Sequence, residues 1–165
     1  MRDVVAGLVA VLLILVVLSL ATTLRTYRRR RERARDTERA MGRTIIAELP
    51  TKTDLVLVTE DDKRFYYGER SIDKDLIVAV RVLINGAPIA AYVSRRHANE
   101  PRPDPTQFDD QPEGIARDRW DVAVETVAGA TLIECGAIRE RVSQELARGI
   151  FGAIKSDLER RDASR

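Results

Sequence analysis

The sequence predicts an α+β protein: an N-terminal single transmembrane helix and basic helical stalk, then a mostly antiparallel sheet of five or six strands covered by a C-terminal amphipathic helix. Three observations lead there. Val4 to Leu24 is a run of twenty-one residues without a charge. Between residues 55 and 135, β-branched runs alternate with turn residues, the pattern of strands and hairpins. From Ile138 to Leu158 the apolar residues Ile138, Val142, Leu146, Ile150, Ile154 and Leu158 recur every four positions, close to the helical period.

The first run sets the frame. At about 1.5 Å per residue, a helix over residues 4–24 spans a hydrocarbon core of about 30 Å. Only a helix satisfies every backbone amide within one isolated segment. Arg25, Arg28, Arg29, Arg30, Arg31, Arg33 and Arg35 follow at once, against one Glu32. Only Arg2, offset by Asp3, precedes the run. The positive-inside tendency then places the C-terminal part in the cytoplasm, at a plasma or inner membrane. Two alternatives are weaker. One puts the domain on the outer face. The other is a cleaved signal peptide, with Ser19-Leu20-Ala21 as the cleavage-like site; its apolar run is too long and its arginines stand where a translocating chain should be least basic. Ala6 and Ala10 beside Gly7 give a small-xxx-small spacing that would allow a second helix close, a pattern that such spans also show by chance.

Residues 25–48 read as a stalk that continues the helix, because Arg, Glu and Ala favour it and no proline intervenes before Pro50. Nine arginines against four acids give this stretch a charge of +5; with residues 1–24 neutral and the whole chain at +2, the remainder carries −3. The basic character belongs to the stalk, which argues against nucleic acid as the partner of the globular part. Anionic lipid headgroups are the expected contact of the seven arginines, with Tyr27 suited to the interface.

The rest of the chain, 49–161 with a short tail at 162–165, is long enough for one small domain. Leu55–Val58, a turn at Glu60–Lys63 and Arg64–Gly68 form a first hairpin. Leu76–Ile84 and Ala87–Val93 flank Asn85-Gly86, the favoured two-residue turn; Pro88 assigns its residue to a strand start or an edge. The run from Leu76 is apolar on both faces apart from Arg81, as a central strand covered on both sides would be. Trp120–Val127 alternates, with Trp120, Val122, Val124 and Thr126 on one face, and Gly129 turns it into Thr131–Cys135. The helix is expected from about Ala137 to Arg161.

Residues 94–119 interrupt this pattern with four of the six prolines. A loop this long in a small domain is functional or disordered, and Phe108, Asp109, Asp110 and Glu113 are its candidate partner-binding residues. Asp104, Asp109, Asp110 and Glu113 could also supply oxygen ligands to a hard cation, but the spacing is not that of a calcium loop and Arg102, Arg117 and Arg119 stand ready to pair with them. His97 and Cys135 could form a thiol nucleophile and base, although Cys135 sits among apolar residues, where cysteine behaves as a small hydrophobe. A single cysteine closes no intramolecular bridge, which favours a reducing side of the membrane. Gly149-Ile150-Phe151-Gly152 has the form of a phosphate-clamping loop, yet its middle pair is apolar and it lies inside one helical pattern. Close packing is the expected reason for these glycines.

No phosphate-loop, dinucleotide, nucleophile-elbow or zinc spacing occurs, so no catalytic residue, metal or cofactor is expected. The expectation is a membrane-anchored, non-catalytic binding or scaffolding protein within a membrane protein assembly. Its partners would be anionic lipids and another membrane or membrane-associated protein, with self-association as a further possibility of the span. The alternative is an anchored hydrolase or transferase using the carboxylates of residues 94–119.

Overall fold

A computed structural model describes residues 2–50, 55–97 and 119–164, with side chains from Leu12 onward and without that of His97. The chain divides into two compact units, Met1–Met41 and Gly42–Arg165.

The first unit is one helix, α1, Arg2–Ala40. Leu12, Leu13, Leu15, Val17, Leu20 and Leu24 on it are each more than half exposed. Its threonines turn inward on the backbone: the hydroxyls of Thr22 and Thr23 donate to the Ser19 carbonyl at 2.8 and 2.9 Å, and that of Thr26 to the Thr23 carbonyl at 2.7 Å. Among the described residues no helix is long and apolar enough to cross a membrane. The backbone of the apolar run is helical throughout, its side chains are described from Leu12 onward, and those of Ala6 and Ala10 lie outside the described residues.

The helix expected to continue to residue 48 stops at Ala40. The Met41 N–H closes the last turn on the Thr37 carbonyl at 3.1 Å, and Gly42 takes φ +75°, the left-handed stop at which glycine carries no Cβ penalty. Thr44, Ile45 and Ile46 then lose rotamer freedom in a helix and gain packing in a strand. They open β1.

Among the described residues, the second unit holds two four-stranded antiparallel sheets and one α-helix, a correction to the single sheet of five or six strands. The first sheet runs in order β1 (Thr44–Pro50), β2 (Leu55–Glu60), β3 (Arg64–Tyr67) and β4 (Arg70–Asp73). The second has the order β6-β5-β7-β8, with β5 Ile77–Ile84, β6 Ala87–Val93, β7 Arg119–Thr126 and β8 Gly129–Ala137. β1 and β4 were hidden for opposite reasons. β1 follows the arginine stalk and shares its helical reading, while β4 offers only Ile72 to the core. A 3-10 turn at Lys74–Leu76 then separates β4 from β5, so the chain leaves one sheet and starts the other.

Both expected hairpins form. Asp61 accepts the backbone N–H groups of Lys63 and Arg64 at 2.8 and 2.7 Å and so holds the β2–β3 turn. Asn85 at φ 52° and Gly86 at φ 82° make the β5–β6 connection, both in the left-handed region that this turn requires. β5 is central, as expected, and Ala79, Val80 and Leu83 on it are at most 1% exposed.

Helix α2, Arg141–Ala163, starts later than expected because Ala137 still belongs to β8. It packs on β1, β5, β7 and β8. The every-fourth-residue row winds off the core at its N-terminal end: Val142 is 61% exposed, whereas Ser143 and Ala147 are buried there and Ile150, Ile154 and Leu158 further on. Ala147, Ile150, Ile154 and Leu158 meet Leu49, Val58 and Phe65 of the first sheet and Val80, Val82, Val122, Val124 and Ile133 of the second in one core. Each large aliphatic buried there contributes about 1.5–3 kcal/mol. Gly149 and Gly152 lie within α2, and a Cβ at either would meet no described atom within 4 Å; close packing is therefore not the reason for them. Nothing in the structure explains them.

Three substitutions test this packing by chemical denaturation. Ile154→Ala is expected to lower stability by about 2–5 kcal/mol. Gly149→Ala is expected to raise it by up to about 1 kcal/mol. Gly136→Ala is expected to lower it, because Gly136 has φ +113° and a Cβ there would stand 2.5 Å from the Ser143 Oγ.

Candidate functional site

The arginines of α1 are arranged by helix geometry alone. At about 100° per residue, positions 25, 28, 29, 30, 31, 33 and 35 point around the whole circumference, so Arg25, Arg28, Arg29, Arg30, Arg31, Arg33 and Arg35 form a collar and not a stripe. Tyr27 within it is 61% exposed. Phe108, Asp109, Asp110 and Glu113, and with them Asp104, lie outside the described residues.

In the second unit no local pattern hints at where its charges meet. Lys74 is 3% exposed, and its Nζ lies 2.8 Å from Glu60 Oε2 and 3.5 Å from Asp157 Oδ1, over the Phe65 ring at 4.4 Å. Asp157, also buried, accepts from Arg161 Nε at 2.7 Å and from Arg160. Arg161 reaches Asp75 as well. This chain of charges ties the end of the first sheet to the last turns of α2. A lysine so desolvated is stable only with its carboxylates in place. None of this is periodic in sequence: Lys74 and Asp157 are 83 positions apart.

Asp162 does the same for the second sheet. Its carboxylate accepts from the Tyr92 hydroxyl at 3.0 Å, the Ser94 hydroxyl at 2.9 Å and the Arg95 N–H at 3.0 Å. Burial works to raise its pKa, but the Arg95 amide and the Ser94 and Tyr92 hydroxyls outweigh it and hold it below the ordinary value of 3.8. Arg96 closes the cluster on the Arg161 carbonyl and, at 3.2 Å, on the Ser164 hydroxyl.

A third set lies on the β5–β7 pair, on the face away from Val80, Val82, Val122 and Val124. Glu125, 0% exposed, stands directly opposite Ala79, and Arg81 opposite Ala123, so each long side chain faces a small one. Arg81 Nε comes within 2.6 Å of Glu125 Oε1, out of alignment for a hydrogen bond. Arg119 bonds Asp121 at 2.8 Å and Glu134 at 2.9 Å. Burial raises the Asp121 pKa, and the Arg119 charge only partly opposes it.

The described groups make ion pairs and hydrogen bonds but assemble no nucleophile with a base. Cys135 is buried in β8, its Sγ 3.6 Å from the Ile133 carbonyl. Burial first, then the Asp121 charge, pushes its thiol up to about 12. His97 ends a 3-10 turn at Arg95–His97; its side chain lies outside the described residues. Among the described residues no three His, Cys, Asp or Glu side chains gather as a metal site. Compared with protein-family models, curated proteins and solved structures, the chain finds no match.

Two measurements follow from these geometries. Cys135 is expected to resist alkylation in the folded protein at pH 8 and to react once denaturant unfolds it, since the thiolate is the reactive form. The depressed pKa of Asp162 means that its contribution to stability is fully present above pH 3.8 and is lost as pH falls through the lower folded value. Asp162→Asn is therefore expected to be less stable than the parent chain at neutral pH, the gap narrowing in acid in pH-dependent denaturation curves.

Proposed function

We propose that the chain is a single-pass membrane-anchored, non-catalytic binding or scaffolding protein whose α+β domain works at the cytoplasmic membrane surface. One observation carries this reading: the polarity of α1 changes along its axis and not around it. A helix on the surface of a globular protein has an apolar stripe and a polar opposite face. On α1, exposed leucines and valines from Leu12 to Leu24 give way to arginines all round from Arg25 onward. That suits a surround that is itself layered, hydrocarbon and then headgroups. The inward hydrogen bonds of Thr22 and Thr23 meet both of their hydroxyl donors inside such a layer. The full span counts residues 4–11 from the sequence. Each arginine near an anionic leaflet contributes about 1 kcal/mol, and the same cluster favours retention on the cytoplasmic side.

Tethering gives such a domain a high effective concentration for a partner in the same membrane, and Phe108 to Glu113 is the proposed contact with that partner. The reading of an anchored hydrolase or transferase draws no support from the buried charged groups described, Lys74, Asp121, Glu125 and Asp157, which stand in ion pairs.

Alkaline carbonate extraction and external protease on sealed spheroplasts test the proposal. The protein is expected to stay with the membranes, and a C-terminal tag to survive protease until the vesicles are lysed. Recovery in the carbonate supernatant refutes the anchor; loss of the tag from outside refutes the orientation. Deleting residues 99–114 is expected to leave the domain folded while co-purification of its membrane partner is lost.

A further inference from the structure

The geometry points to a binding site for an amphipathic carboxylate, an apolar chain of medium length with one acid group, in the groove between β6 and α2. The groove has a volume of about 260 Å³. An apolar cavity of about 150 Å³ already holds benzene, and at about 30 Å³ per water-sized group this one takes about eight carbons. The site belongs to the second unit and does not depend on the anchor.

Its shape has a local cause. The β5–β6 register slips between Val82 and Leu83, which pair with Ala90 and Pro88, so Ile89 is an extra residue that stands 55% exposed at the groove's side. Ala90 on the strand and Ala147 on the helix are too small to close the space between them. Buried Val82 and Trp120 and half-buried Phe151 complete its apolar lining.

Among the described residues that line it, the charged or amide side chains are Gln144 and Arg148, one turn apart on α2. The other cations of α2 have carboxylate partners: Arg141 has Glu145, Lys155 has Glu159, and Arg160 and Arg161 share Asp157. Arg148 has none among the described residues. An exposed guanidinium that no described carboxylate pairs (Glu145, one turn away, is taken by Arg141), next to an amide at the mouth of an apolar groove, matches a carboxylate that can accept from both. A cationic amphiphile would be repelled, and a neutral hydrocarbon would leave both donors facing only water. A two-chain lipid exceeds the volume.

Trp120 is the only tryptophan of the chain and forms part of the lining, so its fluorescence reads occupancy directly. The test titrates 8-bromooctanoate, whose bromine quenches indole emission, into the full-length chain in phosphatidylcholine vesicles, with 8-bromooctanamide as the uncharged counterpart. Saturable quenching by the acid, reversed by excess octanoate, is expected. Arg148→Gln, on an exposed position that the fold does not need, is expected to weaken the acid at least tenfold, as loss of a charge-assisted hydrogen bond does, and to leave the amide unchanged. Ala90→Leu, which fills the groove, is expected to abolish quenching by both, with circular dichroism confirming the fold. Non-saturable quenching overturns the site. Equal affinity for acid and amide, or an Arg148→Gln variant that binds the acid as tightly as the parent, overturns the ligand class.

Discussion

The second unit depends on the pairing of β5 with β7. These are the two inner strands of their sheet, and residues on both faces of each are almost fully buried, among them Ala79, Val80, Ala123 and Val124 at 0% exposed. A strand pair in that position must place any charge against an opposite one, because an isolated buried ion costs several kcal/mol. Arg81 with Glu125 and Arg119 with Asp121 obey this. The alanines opposite Glu125 and Arg81 leave room for side chains that would otherwise collide across the strands. The inner pair therefore combines hydrophobic burial toward α2 with matched charges on its other face, and a slip of one residue would exchange the two.

Helix α2 is held to both sheets by acids near its C-terminal end. Asp157 receives the lysine that follows β4, and Asp162 receives the end of β6 and the turn beyond it. Between them the helix cannot slide along its axis without separating a buried lysine from its carboxylate. The N-terminal half of α2 has no such fastening: Val142 is exposed, Arg148 is unpaired among the described residues, and the groove beside Phe151 opens there. One helix thus has a locked end and an open one. The open end is where a ligand would meet the domain.

Much of the fold was legible because short-range chemistry governs it. Asn85-Gly86 made the β5–β6 hairpin readable from two residues, and the unbroken apolar run before it marked a central strand. The alternation from Trp120 placed Trp120, Val122 and Val124 toward the core. What the sequence misread are the places where local preference is weak or points elsewhere. Thr44 to Glu48 continues a strongly helical stretch, and only Gly42 marks the change; β4 has one core residue. The stripe on α2 shows the same limit, since four-residue spacing drifts on a helix of about 3.6 residues per turn, and packing selected Ser143 and Ala147 over Val142.

By itself the sequence determined where charge and greasiness lie along the chain: an uncharged run, a basic collar behind it, hairpins with their turn residues, and an amphipathic helix at the end. These follow from properties that neighbouring residues share, so they can be read a few positions at a time. Only the tertiary structure decided that the strands divide into two sheets, that Lys74 meets Asp157, that Asp162 clasps the end of β6, and that Arg148 stands beside an apolar groove with no ion-pair partner among the described residues. Each of these joins residues many positions apart, and which ones meet is settled by the packing of one shared core, for which no local pattern exists.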